Sequence, residues 1–146
     1  MNKISCTVIC LIGLVMILCM DGLGAGTATI TTLNNCHGSY FSTIGGYKAS
    51  DGNIFLVVGL DISYSGSDTF SVDPSFFSAT INNFDWKSSP ATYDLSAIGL
   101  NRLPTGTLRN GGKATGYVAY EVPGSRDSFR IVYTGWDSVQ PSYRCG

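Results

Sequence analysis

The stretch Ile54-Phe55-Leu56-Val57-Val58-Gly59-Leu60-Asp61-Ile62-Ser63-Tyr64 decides the fold. From Leu56 onward its large apolar residues recur at alternate positions. Leu56, Val58, Leu60, Ile62 and Tyr64 share one side, and Gly59, Asp61 and Ser63 take the other. That period belongs to a strand, because a helix spaces its apolar face at three and four residues. The clean split toward the C-terminal end is what a half-buried strand requires. Ser65-Gly66-Ser67-Asp68 closes the strand with turn chemistry.

The same grammar extends outward on both sides. Upstream, Thr27 to Thr32 is a β-branched run that reads as a first strand, followed by an Asn-, Gly- and Ser-rich loop from Leu33 to Asn53. Downstream, Thr69 to Val72 resumes strand pattern until Asp73-Pro74 interrupts it, since proline cannot donate to a ladder. Phe76 to Ile81 and Phe84 to Lys87 read as a hairpin across Asn82-Asn83. Ser88 to Pro104 is less regular and has room for a short helical turn. After the Asn110-Gly111-Gly112 turn, Lys113 to Val122 places Gly116, Val118, Tyr120 and Val122 on one face. In Ser128 to Thr134, Phe129, Ile131 and Tyr133 oppose Arg130, Val132 and Thr134. Seven or so short strands between turn residues predict a two-sheet antiparallel β-sandwich.

Composition agrees. Charged residues make up 13% of the 146 residues and aromatics 12%, while the Glu and Lys that long helices favour are scarce. The balance is 9 Lys+Arg against 10 Asp+Glu. Such near-neutrality gives no electrostatic reason to seek nucleic acid or an anionic membrane surface.

The N-terminus reads as targeting. Met1-Asn2-Lys3 precedes an apolar run from Ile4 to Met20, and small residues around Ala25 suit a signal peptidase. We therefore expect a signal peptide over 1–25 and one domain over 26–146. An uncleaved anchor is the alternative, although the run only reaches the lower limit for crossing a bilayer. Lipid attachment at Cys19 is a third route, with Leu18 a poor match to the small residue a lipobox places before its cysteine. Each route puts the domain outside the cytoplasm and allows membrane contact only through the leader or a lipid.

Cys6, Cys10 and Cys19 lie in that leader, which leaves Cys36 and Cys145. In an oxidising compartment such a pair reads as a disulfide; two free thiols or an intermolecular bridge are the alternatives. One His and two Cys cannot complete a zinc site, and no CxxC is present.

The ordered set of motifs carries a resemblance. Gly45-Gly46-Tyr47-Lys48 leads through Asp51-Gly52-Asn53 into Phe55-Leu56-Val57-Val58. Val72-Asp73-Pro74-Ser75-Phe76-Phe77, Ser89-Pro90-Ala91-Thr92-Tyr93 and Gly112-Lys113-Ala114-Thr115-Gly116-Tyr117-Val118 follow. In this order and spacing the chain resembles the immunoglobulin-like domain of unknown function found in bacterial and archaeal secreted proteins and lipoproteins. That domain is similar to the immunoprotective extracellular superfamily. The resemblance spans roughly Thr27 to Thr134 and implies an immunoglobulin-like β-sandwich with an extracytoplasmic location. It transfers no functional residues.

Catalytic readings are weak. His37 is the only histidine and sits beside Cys36 in a polar loop, so any Ser-His-Asp or Cys-His scheme must use it. Nothing marks two of Asp51, Asp61, Asp68, Asp73, Asp85, Asp94, Glu121, Asp127 and Asp137 as a glycosidase pair. Calcium would need Asp51, Asp68 and Asp73 to converge from separate loops, and no DxDxDG loop is present. The expectation is no enzyme, no metal and no cofactor. Trp86, Trp136 and Tyr117 are the candidate ligand-contact aromatics, with Tyr40, Tyr47 and Tyr143 also in polar or outward-looking contexts. The expected function is a binding or adhesion module for a protein or glycan at the cell surface. A structural envelope component tethered by leader or lipid is the alternative, and a small hydrolase comes last.

Overall fold

The computed structural model describes residues 26–124, 128–137, 139 and 141–146, together with the backbone alone of Cys6–Leu11 and Leu14–Cys19. These last two segments, β1 and β2, pair antiparallel with each other. Lys3 and the expected cleavage region at Ala25 lie outside the described residues.

The strands that follow are β3 (Thr27–Thr32), β4 (Ser39–Phe41), β5 (Thr43–Ile44), β6 (Tyr47–Lys48) and β7 (Asn53–Ser65). After them come β8 (Phe70–Val72), β9 (Phe77–Ile81), β10 (Phe84–Trp86) and β11 (Gly106–Leu108), then β12 (Lys113–Pro123), β13 (Arg130–Tyr133) and β14 (Ser142–Cys145). Two 3-10 segments, Pro74–Phe76 and Pro90–Ile98, interrupt them. The fold is all-β, and every strand pair but one is antiparallel among the described residues.

β7 is the axis of the molecule. It pairs with β12 over most of its length, from Asn53↔Pro123 to Ser63↔Lys113. On its other edge it pairs first with β3 and then with β4, in the registers Thr32↔Leu60 and Ser39↔Val57. β14 adds to the outer edge of β3 in parallel, and this completes a five-stranded sheet. A three-stranded sheet, β10-β9-β13, faces it. The main core draws on both sheets: Leu56, Val58, Leu60, Ile62 and Tyr64 from β7, Val118, Tyr120 and Val122 from β12, and Phe77, Ala79, Ile131 and Tyr133 from the second sheet. The two layers of a β-sandwich follow from the alternation in sequence.

The N-terminal half of β7 departs from the half-buried expectation. Phe55 and Val57 point away from the main core into a second cluster with Ile44, Ala49, Ala91, Leu95 and Ala119. The 3-10 segment over Pro90–Ile98 roofs this cluster. Ser89 caps it by accepting from the Ala91 N–H, and the buried Thr92 hydroxyl both donates to the Ala119 carbonyl and accepts from its N–H. Gly99 ends it in the left-handed region at φ 75°. The 33–53 segment, expected as loop, holds three short strands. Their few residues and frequent Gly and Ser hide the period that longer strands display.

Candidate functional site

The disulfide joins Cys36 to Cys145 across a sequence separation of 109, with the Cα atoms 5.0 Å apart. Local backbone makes it possible. After β3 the chain turns through Asn34, Asn35 and Cys36, all at positive φ of 53–61°. Asparagine tolerates this region better than most residues, because its short polar side chain bonds locally. The turn carries Cys36 out of the sheet plane toward β14. Around it, the Asn35 N–H donates to the Gly146 carbonyl at 2.6 Å and the Gly146 N–H to the Thr32 carbonyl at 2.9 Å. The C-terminal strand is thus fixed by a ladder, two flanking hydrogen bonds and a covalent bond.

Phe129 lines three clefts, two of which open beside this clamp. The first, about 340 Å³, lies between β13 and β14 and is walled by Phe129, Ile131, Tyr143 and the disulfide, with Arg130 and Arg144 alongside. The second, about 510 Å³, runs along His37, Gly38 and Tyr40. The third, about 390 Å³, reaches the Asn82-Asn83 hairpin tip. They adjoin at Phe129 and form a concave strip around it. Tyr143 ties the two edge strands by accepting from the Tyr133 N–H at 2.7 Å. Partial burial holds the Tyr143 phenol above its ordinary value, opposed by that hydrogen bond and by the charge of Arg130.

The residues singled out from the sequence scatter. Trp86 is half-buried, packs on the main core and stacks at a tilt on Phe84 with centroids 4.9 Å apart. Tyr117 packs on the second cluster, its ring over Gly59, the cross-strand partner. Trp136 is 93% exposed. The structure does not gather the three at one place: Trp86 and Tyr117 belong to different cores. Tyr40 borders the second cleft, and Tyr47 lies exposed in β6.

His37 shares the second cleft with Ser128, but among the described residues no hydrogen bond joins them and no carboxylate is bonded to the imidazole. Asp73 is occupied structurally. It caps the Pro74–Phe76 turn through the Ser75 N–H at 2.8 Å and accepts from Thr105 at 2.9 Å. Slight burial works against its charge, yet the Ser75 and Thr105 hydrogen bonds and the nearby Arg102 outweigh it and hold the carboxyl below its ordinary value. Asp51 and Asp68 are exposed, and among the described residues no three His, Cys, Asp or Glu side chains cluster.

Phe129, Arg130 and Arg144 escaped attention as site residues. The signal available was faint: Phe129 continues the apolar alternation of Ile131 and Tyr133 but lies just before β13, where it is only partly buried.

Solved structures share this fold. One is a lipoprotein candidate, ycdA, from Bacillus subtilis strain 168, 18% identical, with a TM-score of 0.50 over 76% of this chain and 37% of that one. This chain therefore spans little more than a third of that protein. The other is MPT63, a secreted protein from Mycobacterium tuberculosis, 14% identical, with a TM-score of 0.51 over 96% of this chain and 92% of that one. At these identities the likeness is one of fold. No curated protein matches the sequence. Residues 30–140, from within β3 to beyond β13 and through both cores, match the family described as domain of unknown function DUF4352, and the chain belongs to that family.

Proposed function

We propose that this chain is an extracytoplasmic, non-catalytic binding module that takes its partner on the concave strip around Phe129. The observation carrying the proposal is the convergence of three clefts on one half-buried aromatic, beside edge strands held in place by a disulfide. A large apolar side chain at the centre of a concave surface is the usual anchor of a protein interface. The absence of an oriented base at His37 among the described residues favours binding over hydrolysis. Export is supported by the apolar leader, by a cysteine pair placed for oxidation, and by a fold shared with a secreted protein and a lipoprotein candidate. Trp136, with its ring in solvent, is a further contact on this reading, whereas Trp86 and Tyr117 serve packing.

The test compares the native protein with Phe129→Asp, using each to capture partners from the exterior fraction of the source cells. The module reading expects a partner retained by the native protein and lost by the variant, with the urea midpoint of the variant within about 1 kcal/mol of native. Capture that ignores the substitution would place the contact elsewhere. No capture by either protein, with the chain held in the membrane fraction, would favour a structural envelope component.

A further inference from the structure

We infer that the cleft between β13 and β14 receives an extended, acidic peptide segment that adds as a strand to β13. The inference rests on the binding-module reading and specifies its ligand.

Among the described residues β13 pairs with β9 on one side only and stands at the edge of its sheet. In an antiparallel ladder, residues alternate between bonding the neighbour and facing away. The Thr134 N–H bonds the Phe76 carbonyl, which puts residues 130, 132 and 134 on the β9 side. Ile131 and Tyr133 therefore turn their main-chain groups outward. The Tyr133 N–H is already satisfied by the Tyr143 hydroxyl. The Ile131 N–H and carbonyl stand on the edge that borders the 340 Å³ cleft. A free edge with one donor and one acceptor is a template for an added strand.

The charges choose the sequence of that strand. Arg130 and Arg144 both line the cleft, which has no carboxylate among its described walls. Neither guanidinium has a carboxylate within ion-pairing distance among the described residues. Two unpaired arginines flanking an apolar floor of Phe129, Ile131 and the disulfide suit a segment that alternates apolar and acidic side chains. In an extended strand, alternate residues point to opposite sides, so one set meets the floor and the other meets the arginines. An acyl chain with an anionic head would use the floor and the charges but leave the Ile131 main-chain groups unused, which favours peptide.

Random octapeptides displayed on phage, selected on the full native disulfide-bonded chain, provide the test. Enriched peptides should alternate apolar residues with Asp or Glu. Their synthetic forms should shift the Ile131 amide resonance and weaken about tenfold for each of Arg130→Ala and Arg144→Ala. Arg109→Ala, an exposed arginine outside these clefts, should leave binding unchanged. N-methylation at the peptide position facing Ile131 should abolish binding. Enrichment of peptides without acidic residues, indifference to the arginine substitutions or to N-methylation, or no enrichment at all would overturn the inference. Saturable decanoate binding that displaces no peptide and alone perturbs Phe129 would assign the cleft to an acyl chain and overturn it too. Partner capture that depends on Phe129 but fails these tests would leave the binding-module reading standing. Failure of both would remove the reading itself.

Discussion

Gly116 sits where β12 passes under the backbone of Leu103: a Cβ built there would lie 2.5 Å from the Leu103 Cα and N atoms. Backbone cannot yield as a side-chain tip can. Gly116→Ala should therefore destabilise the protein by about 1–3 kcal/mol, the usual cost of overpacking, read as a lower urea midpoint at constant slope. Tyr120 presents the opposite case. It is fully buried, and its hydroxyl has no hydrogen-bond partner among the described residues. Burial alone raises its pKa. Removing that hydroxyl relieves a desolvated polar group, so Tyr120→Phe should hold or raise stability by about 1 kcal/mol. A loss of stability would mean that the hydroxyl has a partner. The carboxylates give a pH signature. Glu121 is held below its ordinary 4.5 chiefly by the Ser50 hydroxyl and N–H, and Asp73 lies below its ordinary 3.8. Groups with depressed folded values contribute stability above their unfolded values and lose it as pH falls through the folded ones. Denaturation midpoints should accordingly be level near neutrality and fall below about pH 4.5, and Glu121→Gln should flatten part of that fall.

At the scale of elements, the hairpin β9–β10 makes the sharpest prediction. Asn82 and Asn83 have φ of 50° and 62°, as a two-residue turn with both central residues left-handed demands. Asn83→Val should cost about 1–2 kcal/mol, whereas Asn83→Gly should be neutral or stabilising, in thermal melts of the two variants. This hairpin was legible in the sequence because asparagine pairs between alternating runs have few other uses. β7, β12 and the stop at Asp73-Pro74 were legible for the same kind of reason: length, a period of two, and residues with narrow backbone preferences. β11 and β14 were not. Each is short and mostly exposed, and pairing partners distant in sequence, β8 and β3, define them. The excursion between β3 and β4 was hidden too. Both strands lie on one edge of β7, but the partner register slips by four residues between Thr32↔Leu60 and Ser39↔Val57, a shift that no local pattern announces. The cleft arises at that excursion and at β14, so the site was less legible than the fold.

For the whole molecule, the disulfide is the decisive constraint. Closing a loop of this length limits the unfolded chain by about 4–5 kcal/mol in the chain-entropy account. β14 has four exposed residues in a parallel edge pairing, so the clamp, its flanking hydrogen bonds and a few side-chain bonds such as that of Tyr143 retain it. Reduction should lower the melting temperature and speed amide exchange in Ser142–Cys145 before the β7–β12 ladder responds. The cleft between β13 and β14 would lose one wall at the same time. A disulfide clamp suits an oxidising exterior, and the oxidation state of the native protein tests that proposal most directly. The measurement is the intact mass of protein taken from its native exterior fraction, alkylated with and without prior reduction. Cys36 and Cys145 should take up label only after reduction, on a chain that begins at Gly26. Label on both residues without reduction would contradict it, because the clamp, and the strip it holds open, would not exist in the working protein.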